Sequence, residues 1–123
     1  MRLVIGAGCS RGCPPDELLA LVGEALADAG AGDVVALATA DRRSDEPCIL
    51  AAAAAHAVPL RTHSAAALAA VPVPTPSVTV ARHVGTPSVA EAAALLSAGP
   101  GAELVVEKRR SPHATCAIAR VAA

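Results

Sequence analysis

Not one Phe, Tyr or Trp occurs in a chain whose residues are 54% apolar. Its core must therefore be built from Ala, Val, Leu and Ile, and dense packing of such small side chains brings helices and strands close together. At 123 residues the chain fits a single domain, residues 1–123, with one shared core. The missing rings also remove the platforms on which single-stranded nucleic acid stacks. A formal net charge of −1 supplies no global field toward DNA or an anionic membrane. No uninterrupted apolar run approaches the roughly 20 residues that span a bilayer, and the amino terminus opens into a strand rather than a leader pattern. The expectation is a cytoplasmic protein with neither nucleic acid nor membrane as partner.

Periodicity divides the chain into alternating strands and helices. Residues 3–5 form a short apolar strand that breaks at Gly6. A helix follows, with Pro14, Pro15, Asp16 and Glu17 in its first turn. Leu18, Leu21, Val22, Ala25 and Leu26 make its single apolar stripe, and Gly30 closes it. Residues 34–39 read as a strand buried on both faces. Ser44 is placed to cap a second helix running to about residue 57. A third strand is expected over 58–62, and a brief helix capped by Ser64 ends near residue 70. Alternate prolines make 71–76 an extended connector, and 77–81 is either a strand or the start of a helix.

Ser88 and Glu91 have the spacing of a capping box, in which Glu91 reaches back to the Ser88 amide. Val89, Ala92, Ala93 and Leu96 would line that helix's buried face. Strands over 104–108 and 115–121 finish the chain as a hairpin. The fold class is thus α/β, a three-layer α/β/α single domain. Its mixed sheet is mostly parallel, with an antiparallel C-terminal strand pair.

Three segments carry polar chemistry. Gly6, Gly8, Arg11 and Gly12 lie between a strand and a helix, where backbone amides can converge on an anion. The spacing G-x-G-x-x-x-G is neither a dinucleotide fingerprint nor a P-loop. A tight turn that uses glycine for its backbone freedom explains the same residues. Gly85, Thr86 and Ser88 stand at a helix amino terminus, a second candidate anion site, and His83 just upstream is a weak candidate general acid or base. In the segment Glu107 to Ser111, alternation puts Lys108 and Arg110 on one side of a strand and Arg109 beside Glu107. His113 falls in an exposed turn. Arg42-Arg43 forms a second cation cluster.

Cys9 and Cys13 have a C-x3-C spacing, yet no second close pair completes a zinc set. No metal, no disulfide and no cofactor are expected. No nucleophile elbow or metalloprotease helix is present in the sequence.

The glycine segment from Val4 to Gly12, the stretch from Arg82 to Leu95 and the cation segment Glu107 to Pro112 together resemble one family. It is the C-terminal domain of the cobalamin-biosynthesis protein CbiG and its free-standing counterpart CobE. The resemblance runs from Val4 to about Arg120, with Cys13 standing where relatives would carry a small or β-branched residue. It implies a role in building the corrin ring and a precorrin or cobalt-precorrin tetrapyrrole as partner. In this family the full-length protein opens the ring-A δ-lactone of cobalt-precorrin-5A, a hydrolase reaction that releases acetaldehyde. This chain resembles the C-terminal domain alone, so catalysis is expected to need the amino-terminal domain. The alternative is a non-catalytic precorrin carrier, or an assembly module that docks on another corrin-pathway enzyme. The implied ligand-binding residues are Gly6, Gly8, Arg11, Gly12, Gly85, Thr86, Ser88, Lys108 and Arg110.

Overall fold

The computed structural model describes residues 1–72 and 88–122. The expected element over 77–81, most of the 71–76 connector, and His83, Gly85 and Thr86 lie outside the described residues. Along the chain run β1 (Arg2–Cys9), α1 (Pro15–Ala29), β2 (Asp33–Ala40), a 3-10 turn (Asp41–Arg43), α2 (Pro47–Ala55) and β3 (Leu60–His63). Then come α3 (Ala65–Ala69), α4 (Val89–Ala98), β4 (Glu103–Arg110) and β5 (Ala114–Arg120).

The five strands stand in the order β3-β2-β1-β5-β4. β1 pairs in parallel with β2, and β2 with β3, while β5 runs antiparallel to both β1 and β4. The sheet is therefore mixed, and β5 alone opposes the common direction. Alternation along β1 divides the core into two. Leu3, Ile5 and Ala7 join the side chains of α1 and α2, including Leu18, Val22 and Ile49. Val4 joins Leu68 of α3 and the alanines of α4 on the other face. Helices on both faces give the expected three layers.

Strand β1 does not break at Gly6 but continues to Cys9. Gly6 pairs with Ala38 on one side and Ala117 on the other, and Gly8 pairs with Thr115. The glycines serve the contact with α4: a Cβ on Gly6 would lie 1.9 Å from the carbonyl oxygen of Ala90. Because α4 lies so close to the sheet, its burial extends almost all round. Ala90, Glu91 and Ala94 are buried along with Ala92 and Ala93, whereas Val89 and Leu96 are only half-buried.

Helix α1 follows its stripe, with Leu18, Leu21, Val22 and Ala25 buried and Gly30 closing it at φ 85°. Helix α2 starts at Pro47, not at Ser44, because the 3-10 turn takes up Ser44, whose amide donates to Asp41 O at 3.2 Å. It ends in paired capping bonds, Ala57 N to Ala54 O at 3.0 Å and Val58 N to Ala53 O at 3.1 Å. That use of Val58 moves β3 to Leu60–His63. Ser64 caps α3 by accepting from Ala67 N. No helix among the described residues is long and apolar enough to cross a membrane.

Candidate functional site: a cationic cleft at the sheet edge

In an open α/β sheet, ligands settle beyond the carboxyl ends of the strands where the chain switches sides. Here β1 is that switch, with β2 on one side and β5 on the other. The carboxyl ends of β1, β2 and β4 meet the beginnings of β5 and α4 around a cavity of about 250 Å³. Arg42 and Arg43 reach it from the end of β2, Lys108 and Arg110 from β4, and Ser88 from the start of α4.

Each cation is placed by local structure. Arg43 is tied down, its Nε donating to Cys9 O at 2.8 Å. In β4 the register with β5 shifts between Val106 and Arg109. The Lys108 amide donates instead to Oε2 of the fully buried Glu91, at 2.9 Å. Ser88 Oγ accepts from the Glu91 amide at 3.3 Å, so the capping residue and the Lys108 strand are joined through one residue, Glu91, by its amide on one side and its carboxylate on the other. Arg109 turns to the opposite face and pairs with Asp28 of α1, leaving Lys108 and Arg110 on the cleft side.

Among the described residues that line the cleft there is no carboxylate. The ion pairs among the described residues are Arg109–Asp28, His113–Glu17 and Arg120–Glu103. None of them includes Arg42, Arg43, Lys108 or Arg110. Guanidinium and ammonium groups gathered round a cavity without carboxylates suit a carboxylated or phosphorylated ligand.

At one lip stands the β4–β5 turn. Glu17 of α1 accepts from Ser111 Oγ, from His113 N at 2.6 Å and from His113 Nδ1 at 2.9 Å. The Ser111 hydroxyl, then the His113 ring, hold its carboxyl down at about 2, against an ordinary 4.5. Ser10 Oγ also donates to His113 O at 3.3 Å, tying the loop after β1 to the same turn.

Cys9 lines the cleft, and the thiols of Cys13 and Cys48 are buried. Cys13 and Cys48 lie in the core shared by α1 and α2, and the Cys13 thiol donates to Pro14 O at 3.6 Å. Burial pushes Cys13 up to about 12, with Cys48 adding to it, and Cys48 up to about 11, with Cys9 adding to it. All four cysteines are free. No set of three metal-ligating side chains converges among the described residues.

Of the ligand-binding residues named from sequence, Gly8, Ser88, Lys108 and Arg110 line one cavity. Gly6 instead lies against α4. Arg11 is exposed and Gly12 adopts φ 76°, its amide donating to the buried Glu46 carboxylate at 3.3 Å; neither lines the cleft. His83, Gly85 and Thr86 fall outside the described residues. Sequence reasoning assigned no site role to Arg42, Arg43 and His113. Arg42-Arg43 carried a readable signal, since they follow a strand at the ligand-binding edge. His113 carried none, because its partner Glu17 is 96 residues away.

A family model for the cobalamin synthesis G C-terminus matches residues 3–119. The Protein CobE of a Sinorhizobium species is 47% identical over 121 residues, 95% of this chain and 79% of that protein. A crystal structure of CobE, a protein from the cobalamin (vitamin B12) biosynthetic pathway, aligns with a TM-score of 0.85 at 36% identity, covering 98% of this chain and 90% of that one. The structure of the cobalamin biosynthesis protein chiG from Agrobacterium tumefaciens aligns with a TM-score of 0.69 at 33% identity, covering 98% and 99%.

Proposed function

This chain belongs to the cobalamin synthesis G C-terminal family, and from that premise we propose that its cationic cleft binds the carboxylate fringe of a precorrin or cobalt-precorrin. Corrin precursors are flat macrocycles edged with acetate and propionate groups. Four cations with no ion-pair partner among the described residues, at the ligand-binding edge of the sheet, are the observation that carries this reading.

The size of the cavity supports a grip on part of the ligand. Drug-sized ligands fill pockets of roughly 300–1,000 Å³, and a cavity of about 250 Å³ takes one or two carboxylated arms rather than a whole macrocycle. Most of the ring then lies outside. That favours, as a second reading, a carrier that presents the tetrapyrrole to another corrin-pathway enzyme. Opening of the ring-A δ-lactone needs, in addition, a group that moves a proton at the cleft.

Titration with a purified precorrin, beside the same compound with its carboxyls esterified, tests the binding. The free acid should bind and the ester should not. Equal binding of both, or none of the acid, would remove the carboxylate-fringe reading.

A further inference from the structure

The cations of the cleft fall into two groups, one at each end. Arg42 and Arg43 follow the carboxyl end of β2 in the 3-10 turn, and Lys108 and Arg110 stand on β4. In the strand order β3-β2-β1-β5-β4, both β1 and β5 lie between them. Neighbouring strands are about 4.8 Å apart, so three spacings put β2 roughly 14 Å from β4. Arg43 does not swing freely across this gap, because its Nε is held by Cys9 O at the end of β1, at 2.8 Å. From that anchor two spacings remain, about 10 Å. The far end is fixed as well: the Lys108 amide is bound by Glu91, and Arg110 pairs with Thr115 of β5.

Between the two groups the cleft is uncharged. Gly8 of β1, Ala114 and Thr115 of β5 and Val89 of α4 line this middle stretch. A Cβ on Gly8 would lie 2.8 Å from Thr115 Oγ1 and 3.7 Å from Val89, so the missing side chain keeps the middle open. Charged hydrogen bonds to a carboxylate need contacts of about 2.8 Å. A single carboxylate gripped at one end therefore leaves the cations of the other end without a ligand.

We propose that the cleft is a two-ended clamp for an elongated dianion, whose two acid groups stand about 10 Å apart on an uncharged body. Arg42 and Arg43 grip one acid group, and Lys108 and Arg110 grip the other. The clamp rests on the reading of the cleft as a carboxylate site and adds a spacing to it. Once one end is bound, the second grip is intramolecular, so affinity depends on whether the ligand's acid groups match the span. On a tetrapyrrole, acid groups so far apart belong to two different pyrrole rings. The macrocycle then lies with one edge along the cleft and the opposite edge in solvent.

Rigid diacids test the spacing, with affinities measured by calorimetry at one fixed salt concentration. Biphenyl-4,4′-dicarboxylate holds its acid groups near the separation of the two ends, and benzene-1,4-dicarboxylate holds them at little more than half of it. The longer diacid should bind about tenfold more tightly than the shorter one, and than the monoacid biphenyl-4-carboxylate, the contribution of one further charged hydrogen bond. Arg42 and Arg110 are exposed, so Arg42→Ala and Arg110→Ala spare the core. Each variant should lose most of that preference. Equal affinity for the two diacids, or a preference that survives in either variant, would overturn the clamp. So would a chain that binds a precorrin and neither diacid, an outcome that leaves the carboxylate cleft standing without the spacing. Preference for the longer diacid beside no binding of a precorrin supports the clamp and removes the precorrin instead.

Discussion

The carbonyl oxygen of Ala90 stands where a Cβ on Gly6 would be, 1.9 Å from that position, with Ala94 at 2.8 Å. Neither neighbour is the end of a flexible side chain. Gly6→Ala must therefore push α4 off the central strand or bend β1. Overpacking of this kind costs about 3 kcal/mol or more. Denaturant unfolding should show that loss; a variant as stable as wild type would mean that α4 does not rest on β1 as described.

Ala57 is the sole non-glycine residue with positive φ among the described residues, at 53°, where it closes the capping motif of α2. Glycine tolerates this conformation without a Cβ clash. Ala57→Gly should raise stability by about 0.5–1 kcal/mol, read as a higher denaturation midpoint. A lower midpoint would contradict the left-handed cap.

Glu17 gives the fold an acid dependence. Its carboxyl is held at about 2 by the Ser111 hydroxyl and then the His113 ring, below its ordinary 4.5. Above 4.5 the group is ionised in both the folded and unfolded chain, and its contribution is fully present. As pH falls from about 4.5 to about 2, the unfolded chain binds the proton first and that contribution is lost. Stability should decline over this window in wild type and more shallowly in Glu17→Gln. Parallel curves would show that Glu17 does not hold the turn.

The thiols should be inert in the folded protein. Burial is the main cause that pushes Cys13 up to about 12 and Cys48 and Cys116 up to about 11, and it raises Cys9 as well. The thiolate is the reactive form. Iodoacetamide at pH 8 should label the native chain slowly and the urea-unfolded chain fast. Fast native labelling of Cys13 would show that the thiol cluster is open to solvent.

Much of the fold is legible in local pattern. The stripe from Leu18 to Leu26, the Ser64 and Ser88 caps and the terminal hairpin all rest on neighbours close in sequence. Strand β1 was harder to read because a glycine looks like a break until the helix that occupies its empty side is in view. The same holds for Glu91. Its spacing from Ser88 reads as a local cap, yet its carboxylate receives the amide of Lys108, a partner supplied by a register shift in another element. Lys108 and Arg110 were readable through strand alternation. The pairing of Glu17 with His113 depends on α1 lying over the β4–β5 turn, which only the packed chain displays.

The most direct test of the cleft compares affinity for a purified precorrin at fixed salt between wild type, Lys108→Ala and Arg42→Ala. Arg11→Ala, outside the cleft lining, serves as the comparison. A hydrogen bond to a charged group contributes roughly 1.5–3 kcal/mol, about a ten- to hundredfold change in affinity. Lys108→Ala and Arg42→Ala should each weaken binding by that factor while Arg11→Ala stays near wild type. Unchanged affinity in both cleft variants, or a loss confined to Arg11→Ala, would contradict the assignment of the carboxylate site to this cleft.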